Sequence, residues 1–251
     1  MSSPRPVALI TGAAKRIGAA IAQRLHEEGY DLALHYRDSA AEMDVLLAEL
    51  NANRADSAFA LQADLAESDR LPELIANTVG RFGRLDALVN NASSFFPTPF
   101  GQATPQHWDD LFAANARAPF FLSQAAAPHL KVSQGAIVNI ADIYAERPLR
   151  DHALYGMSKA ALVHMTKALA AELAPDVRVN AVSPGAILWP EDGKNEAAKS
   201  ASAKSAMLVR TPLQRIGTVK EIAEAVRWLL RDATYTTGQV IRVDGGRMLE
   251  S

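Results

Sequence analysis

A short apolar strand that runs into a glycine turn and then a helix restricts this chain more than any other stretch. Val7-Ala-Leu-Ile-Thr11 is apolar throughout and stops at Gly12. From Ile17 the spacing changes: Ile17, Ala20, Ile21 and Leu25 share one face of a helix that runs to Gly29. Between them lies Thr11-Gly-Ala-Ala-Lys-Arg-Ile-Gly18. Gly12 suits a tight turn and Gly18 lets the helix pack closely on a sheet, leaving amide N–H groups at the helix start for a pyrophosphate. Glycine pairs also serve backbone needs alone, so the weight of this one comes from its place in the first strand-helix unit.

The same alternation continues to the end. Strands are expected at Asp31–Tyr36, Ser57–Gln62, Ala87–Asn90, Gly135–Ala141, Arg178–Val182 and Val240–Val243. Helices are expected at Ala40–Ala52, at about Leu71–Phe82, through the long region Pro105–Lys131, around Tyr155 and at Val219–Leu230. The pattern predicts an α/β fold, a single-domain Rossmann-type doubly wound parallel sheet of about seven strands flanked by helices. It would occupy residues 1–251, since no internal repeat or linker divides the chain. At 251 residues with 49% hydrophobic residues, a domain of this size is ordinary. Glu191 to Ala206 is rich in Ala, Lys and Ser with few large apolar groups, which suits a flap over a site, at about 186–210, or an ordered surface helix.

In such sheets ligands bind outside the carboxyl ends of the strands. The second strand ends about 20 residues past the glycine turn, where the adenosine ribose would be read. His35, Tyr36, Arg37 and Ser39 stand there instead of the acid that suits a free ribose, with Asp38 slightly beyond, and Arg16 enters from the glycine loop. Two guanidinium forks with hydroxyl donors suit a phosphate, so NADPH is expected over NADH; a merely solvated strand end is the alternative. Asp64 could accept from an adenine amino group or cap the following turn. After Asn91 come two adjacent aromatics, Phe95 and Phe96, in a loop rich in Ser and Pro. Asn115, inside an apolar helical pattern, must hold backbone groups or organise a water.

Tyr155 and Lys159 stand four apart and share one helical face. A cation there is expected to favour the phenolate of Tyr155, which ordinarily titrates at about 10. Asp142 follows the strand Gly135–Ala141 and could meet that pair across the loop Ile143–Leu154. Formal charge is only −2, from 26 basic and 28 acidic residues, so nothing pulls the chain toward nucleic acid or anionic membrane. With no cysteine, disulfides and thiolate metal sites are excluded, and the six histidines show no paired ligand spacing, so no catalytic metal is expected. No run approaches the roughly 18 apolar residues of a membrane span, and Met1–Pro6 carries no signal region. A soluble cytoplasmic protein is the expectation.

Thr11-Gly12 with Gly18, Asp64-Leu65, Asn90-Asn91-Ala92, Asn115, Tyr155-x-x-x-Lys159, Pro184-Gly185 and Asp244-Gly245-Gly246 resemble, in this order, the short-chain dehydrogenases/reductases over nearly the whole chain. Three departures stand out: Arg16 for the middle glycine of the first loop, Ser93 for the glycine after Asn-Asn-Ala, and Asp142 for the serine before the tyrosine. With His35-Tyr36-Arg37 and the Ser93-Ser-Phe-Phe-Pro-Thr-Pro99 loop, they look like a pteridine reductase. That resemblance implies NADPH-dependent reduction of dihydropterins or folates, with the ring stacked between nicotinamide and Phe95. It places Ile17, Leu65, Asn91, Ala92, Pro184 and Gly185 at the cofactor, Arg16 and Ser93 against cofactor and pterin, and Trp189 beside the pocket. It implies a homotetramer, and no partner beyond the small-molecule substrate. A C=N bond needs hydride at carbon and a proton at nitrogen, which Asp142, Tyr155 and Lys159 would relay, whereas a ketone needs its oxygen stabilised and protonated. The other readings are a carbonyl reductase of the same fold and a non-catalytic NADPH-binding regulator.

Overall fold

Every strand expected from the sequence forms, and each pairs in parallel with its neighbours. The structure, a computed structural model, describes residues 5–187, 205 and 208–249. In chain order the elements are β1 (Val7–Ile10), α1 (Arg16–Glu27), β2 (Asp31–Tyr36), α2 (Ala40–Asn53), β3 (Ala58–Gln62), α3 (Leu71–Phe82), β4 (Ala87–Asn90), α4 (Pro105–Phe112), α5 (Ala118–Ser133), β5 (Ala136–Ile140), α6 (Ala153–Leu173), β6 (Arg178–Pro184), α7 (Val219–Arg231) and β7 (Val240–Val243). The flap expected at about 186–210 and Trp189 fall largely or wholly outside the described residues. No helix among the described residues is long and apolar enough to cross a membrane.

The seven strands lie in the order β3-β2-β1-β4-β5-β6-β7. The chain winds outward from β1 to β3, returns to place β4 beside β1, and winds outward again, so the order reverses between β1 and β4. Crossovers therefore lie on both faces of the sheet, and the carboxyl ends open a crevice at the reversal. Alternation within β1 shows why both faces are apolar. Val7 and Leu9 pack with Leu74, Leu122 and Leu130 on one side, while Ala8 and Ile10 pack with Ile21, Leu25 and Val226 on the other.

One expected element divides. The region Pro105–Lys131 is α4, then a π-helical turn Ala113–Arg117, then α5. Pro119 has no N–H to offer the carbonyl of Asn115 four residues earlier, so an α-helical bond cannot close there. A π turn absorbs the defect and carries Asn115 fully buried. Both α4 and α7 begin at a capping box, Thr104 with His107 and Thr218 with Glu221.

Behind the sheet's open edge the late chain is tied to the turn that follows β5. The side chains of Arg242 and Glu146 form an ion pair. Arg147 donates to the carbonyl of Arg247 at 2.9 Å, and Arg247 donates to the Tyr144 hydroxyl at 3.4 Å.

Candidate active site

The turn after β1 is fixed by groups from three strands. Thr11 Oγ1 accepts from the backbone N–H of Asn91 at 2.9 Å and of Ala92 at 3.0 Å. Asn91 Nδ2 returns donors to the carbonyls of Thr11 at 2.8 Å and Gly12 at 2.9 Å. His35 accepts from the N–H of Gly12 through Nδ1 at 3.2 Å, so its Nε2 carries the proton and donates to the Ala63 carbonyl at 3.1 Å. Burial pushes the His35 pKa down and keeps the ring neutral. His35, expected beside a phosphate, therefore has both nitrogens engaged and supports the loop. The Asn91 amide is likewise occupied in holding the turn.

Gly18 admits no side chain: a Cβ there would lie 2.2 Å from the Gly12 oxygen and 2.7 Å from Asn91 Nδ2. Gly18→Ala is expected to destabilise the fold by about 1–3 kcal/mol through overpacking and to abolish nucleotide affinity, read by thermal melting and NADPH fluorescence titration. Arg16 takes the left-handed conformation, φ 55, that the usual glycine adopts without strain. The helix it begins has no side-chain cap and no acid in its first turn, so its leading amides are available to an anion.

These features face a cavity of about 790 Å³, within the range of cofactor sites. Every residue expected at the cofactor from Gly12 to Ser93 lines it, and Phe95 and Phe96 belong to the same lining. Tyr155, Lys159, Pro184 and Gly185 lie outside its lining. An uncapped helix start, a close-packed glycine turn and a lining that includes Arg16 and Arg37 fit a phosphorylated dinucleotide. Arg37 meets Asp38 at 2.6 Å across an exposed pair, and Asp64 Oδ1 accepts from Ala66 N–H at 2.9 Å, so Asp64 does cap its turn. No cluster of three or more potential metal-ligating side chains occurs among the described residues.

The acid, phenol and lysine do converge. Tyr155 donates its hydroxyl to Asp142 Oδ2 at 2.7 Å, and Asp142 Oδ1 accepts from the N–H of Tyr144 at 2.9 Å. Asp142 thus holds the phenol with one oxygen and caps the next turn with the other. Lys159 is buried and donates to the Ile140 carbonyl at 2.8 Å, its nitrogen 6.0 Å from the centre of the Tyr155 ring. Burial pushes the Lys159 pKa down to about 8. The expectation that Lys159 draws the Tyr155 pKa down is not met. Burial first, and then the Asp142 charge and hydrogen bond, raise it well above 10, because the ammonium is directed at a carbonyl while a carboxylate touches the phenol. Burial also raises Asp142, opposed by the Tyr144 amide, the Tyr155 hydroxyl, Lys159 and Arg247.

Asn115 is the joint between loop and helix. Its Oδ1 accepts from Ser93 Oγ at 2.9 Å and Ser94 N–H at 3.0 Å, while Nδ2 donates to the Ser94 carbonyl and to Ser158 Oγ, both at 3.0 Å. All of its hydrogen-bonding capacity toward protein is taken, so it holds the Ser93-Ser94 loop against α6. Phe95, next in that loop, meets the Tyr155 ring edge to face at 4.7 Å and stacks on His152 at 4.7 Å. Sequence reasoning missed Ser158 and His152. Their signal was helical spacing: His152 stands three residues before Tyr155, and Ser158 three after it.

Known proteins match along nearly the whole chain. A family model described as enoyl-(acyl carrier protein) reductase matches residues 12–247. Pteridine reductase 1 of Leishmania tarentolae is 38% identical over 289 aligned positions, covering 99% of this chain and 98% of that one. A 3-oxoacyl-(acyl-carrier-protein) reductase of Staphylococcus aureus is also 38% identical, over 242 positions covering 95% and 96%. The corresponding reductase of Staphylococcus epidermidis is 38% identical over 242 positions, covering 95% and 97%.

Proposed function

Because this chain belongs to the short-chain dehydrogenase/reductase family and is an oxidoreductase, we propose that it reduces dihydropterins or folates to their tetrahydro forms with NADPH. The whole chain acts as one reductase domain in this reading. One observation carries it: a carboxyl, Asp142, faces the catalytic phenol at 2.7 Å. An anionic oxygen beside the reacting group repels a ketone oxygen that gains charge during reduction. It suits a ring that offers N–H donors and takes up a proton at nitrogen.

NADPH supplies hydride when bound; the protein's own groups bind, orient and protonate. The uncapped start of α1, Arg16 and Arg37 would hold the phosphates, and Lys159 the nicotinamide ribose. The high pKa of Tyr155 keeps its proton on the phenol at neutral pH, so the group acts as a donor. Asp142, accepting the phenol's hydrogen bond, aligns that proton. Once it has passed to the ring nitrogen, the phenolate takes a proton back from solvent by way of Asp142, which ends the cycle as the carboxylate it began. Phe95, half-exposed in the cavity lining, would offer its ring to the pterin.

A ketone or 3-oxoacyl reductase is the second reading, favoured by the equal identity to the staphylococcal reductases. NADPH oxidation with dihydrobiopterin, dihydrofolate and a ketone panel, with NADH as control, separates the two. Asp142→Ser is expected to cut pterin turnover at least 100-fold while ketone turnover holds or rises. Full pterin turnover by the serine variant would sink the role given to Asp142.

A further inference from the structure

His152, which belongs to none of the roles above, forms the near-parallel one of the two ring contacts that Phe95 makes among the described residues. The imidazole and phenyl rings are 4.7 Å apart with 19° between their planes, a face-to-face stack, while Tyr155 meets Phe95 at 86°. His152 Nδ1 lies 2.8 Å from the Arg150 carbonyl, which makes Nδ1 the protonated nitrogen. Its Nε2 is buried and has no partner among the described residues. A buried acceptor left without a donor is unfavourable, so the stack, together with one backbone bond, is what keeps the ring in place. With His152 on one face and Tyr155 in edge-to-face contact, Phe95 is still 54% exposed and lines the cavity. More than half of the Phe95 surface is thus open to a further contact.

We infer that His152 is a positioning residue that fixes the plane of Phe95 and so selects flat conjugated substrates over compact aliphatic ones. The chain of contact is short: His152 stands at the N-cap position of α6, three residues before Tyr155, so the ring that stacks on Phe95 and the proton donor belong to one helix end. An aromatic substrate gains from a platform held at a set angle, whereas an aliphatic one gains little from the same surface. The inference rests on the reading of the cavity end as a substrate site, and names what that site prefers.

The test compares wild type, His152→Ala and His152→Phe with NADPH on dihydrobiopterin, on a flat aryl ketone and on a compact aliphatic 3-oxo ester. His152→Ala should raise KM for the flat substrate roughly 2- to 10-fold with kcat nearly unchanged and leave the aliphatic KM alone; His152→Phe should restore the wild-type ratio. Thermal melting of each variant shows whether a change is merely loss of fold. Equal losses on flat and aliphatic substrates, no recovery in His152→Phe, or a wild type with no preference for flat rings would each overturn the inference. Should wild type reduce the aryl ketone and no pterin, the pterin reading fails alone, and the ratio of aryl to aliphatic ketone decides this one.

Discussion

Tyr155→Phe is expected to lower kcat by two to four orders of magnitude while NADPH binds as before. The phenol is the donor closest to Asp142, and its raised pKa keeps it protonated over the whole neutral range. Removing one oxygen takes away the proton that the reacting atom needs, a loss of about 10²- to 10⁴-fold for a positioned general acid. The ring stays, so its contact with Phe95 and the shape of the pocket stay too. Steady-state kinetics with a fluorescence titration of NADPH checks both halves. A fall of less than tenfold would mean that the proton comes from elsewhere, with protonated Asp142 the first candidate.

Lys159→Met should do two opposite things. Activity should fall by about two orders of magnitude or more, because no cation remains near Asp142 or, in the proposed reading, to hold the nicotinamide ribose. Stability should rise. The unfolded chain keeps the lysine proton up to 10.5, whereas the native state keeps it only to about 8. Between those values the unfolded state holds more protons, so native stability increases with pH across that window. Below about pH 8 the burial penalty is present in full, on the order of 3 kcal/mol for a pKa that falls from 10.5 to about 8. Loss of the bond to the Ile140 carbonyl offsets about 1 kcal/mol of the gain. A rise in melting temperature of roughly 4–8 °C at pH 7 is the expected net result, shrinking toward pH 10. An unchanged or lower melting temperature at pH 7 would show that the buried ammonium is not strained.

The strand ends were readable because they depend on local pattern. Val7–Ile10, Ala87–Asn90 and Val240–Val243 are bounded by turn residues, and their parallel pairing follows from the helices between them. The convergence of Asp142 with Tyr155 was readable for the same reason: one ends a strand and the other begins a helix at the same sheet edge. What was not readable depends on side-chain direction. His35 sits at the expected strand end, but only the fold shows its ring turned inward between Gly12 and Ala63. The Tyr155 shift had the wrong sign because helical spacing gives the proximity of Lys159 and says nothing of burial or of the carbonyl that takes its ammonium. The π turn at Asn115 shows in the sequence only as Pro119, and its value lies in contacts with Ser94 and Ser158 that no spacing reveals.

The tie between residues 242–247 and the turn after β5 also bears on how the protein is made. Asp142, Tyr144 and Glu146 leave the ribosome about a hundred residues before Arg242 and Arg247, the groups that fasten their turn, and Arg247 also favours the Asp142 charge. A nascent chain can assemble β3-β2-β1-β4 early, so the crevice proposed for the nucleotide takes shape well ahead of the edge that carries Asp142 and Tyr155. Truncated products would then bind nucleotide without turning over, and ribosome-tethered chains of increasing length should acquire these two properties at different lengths.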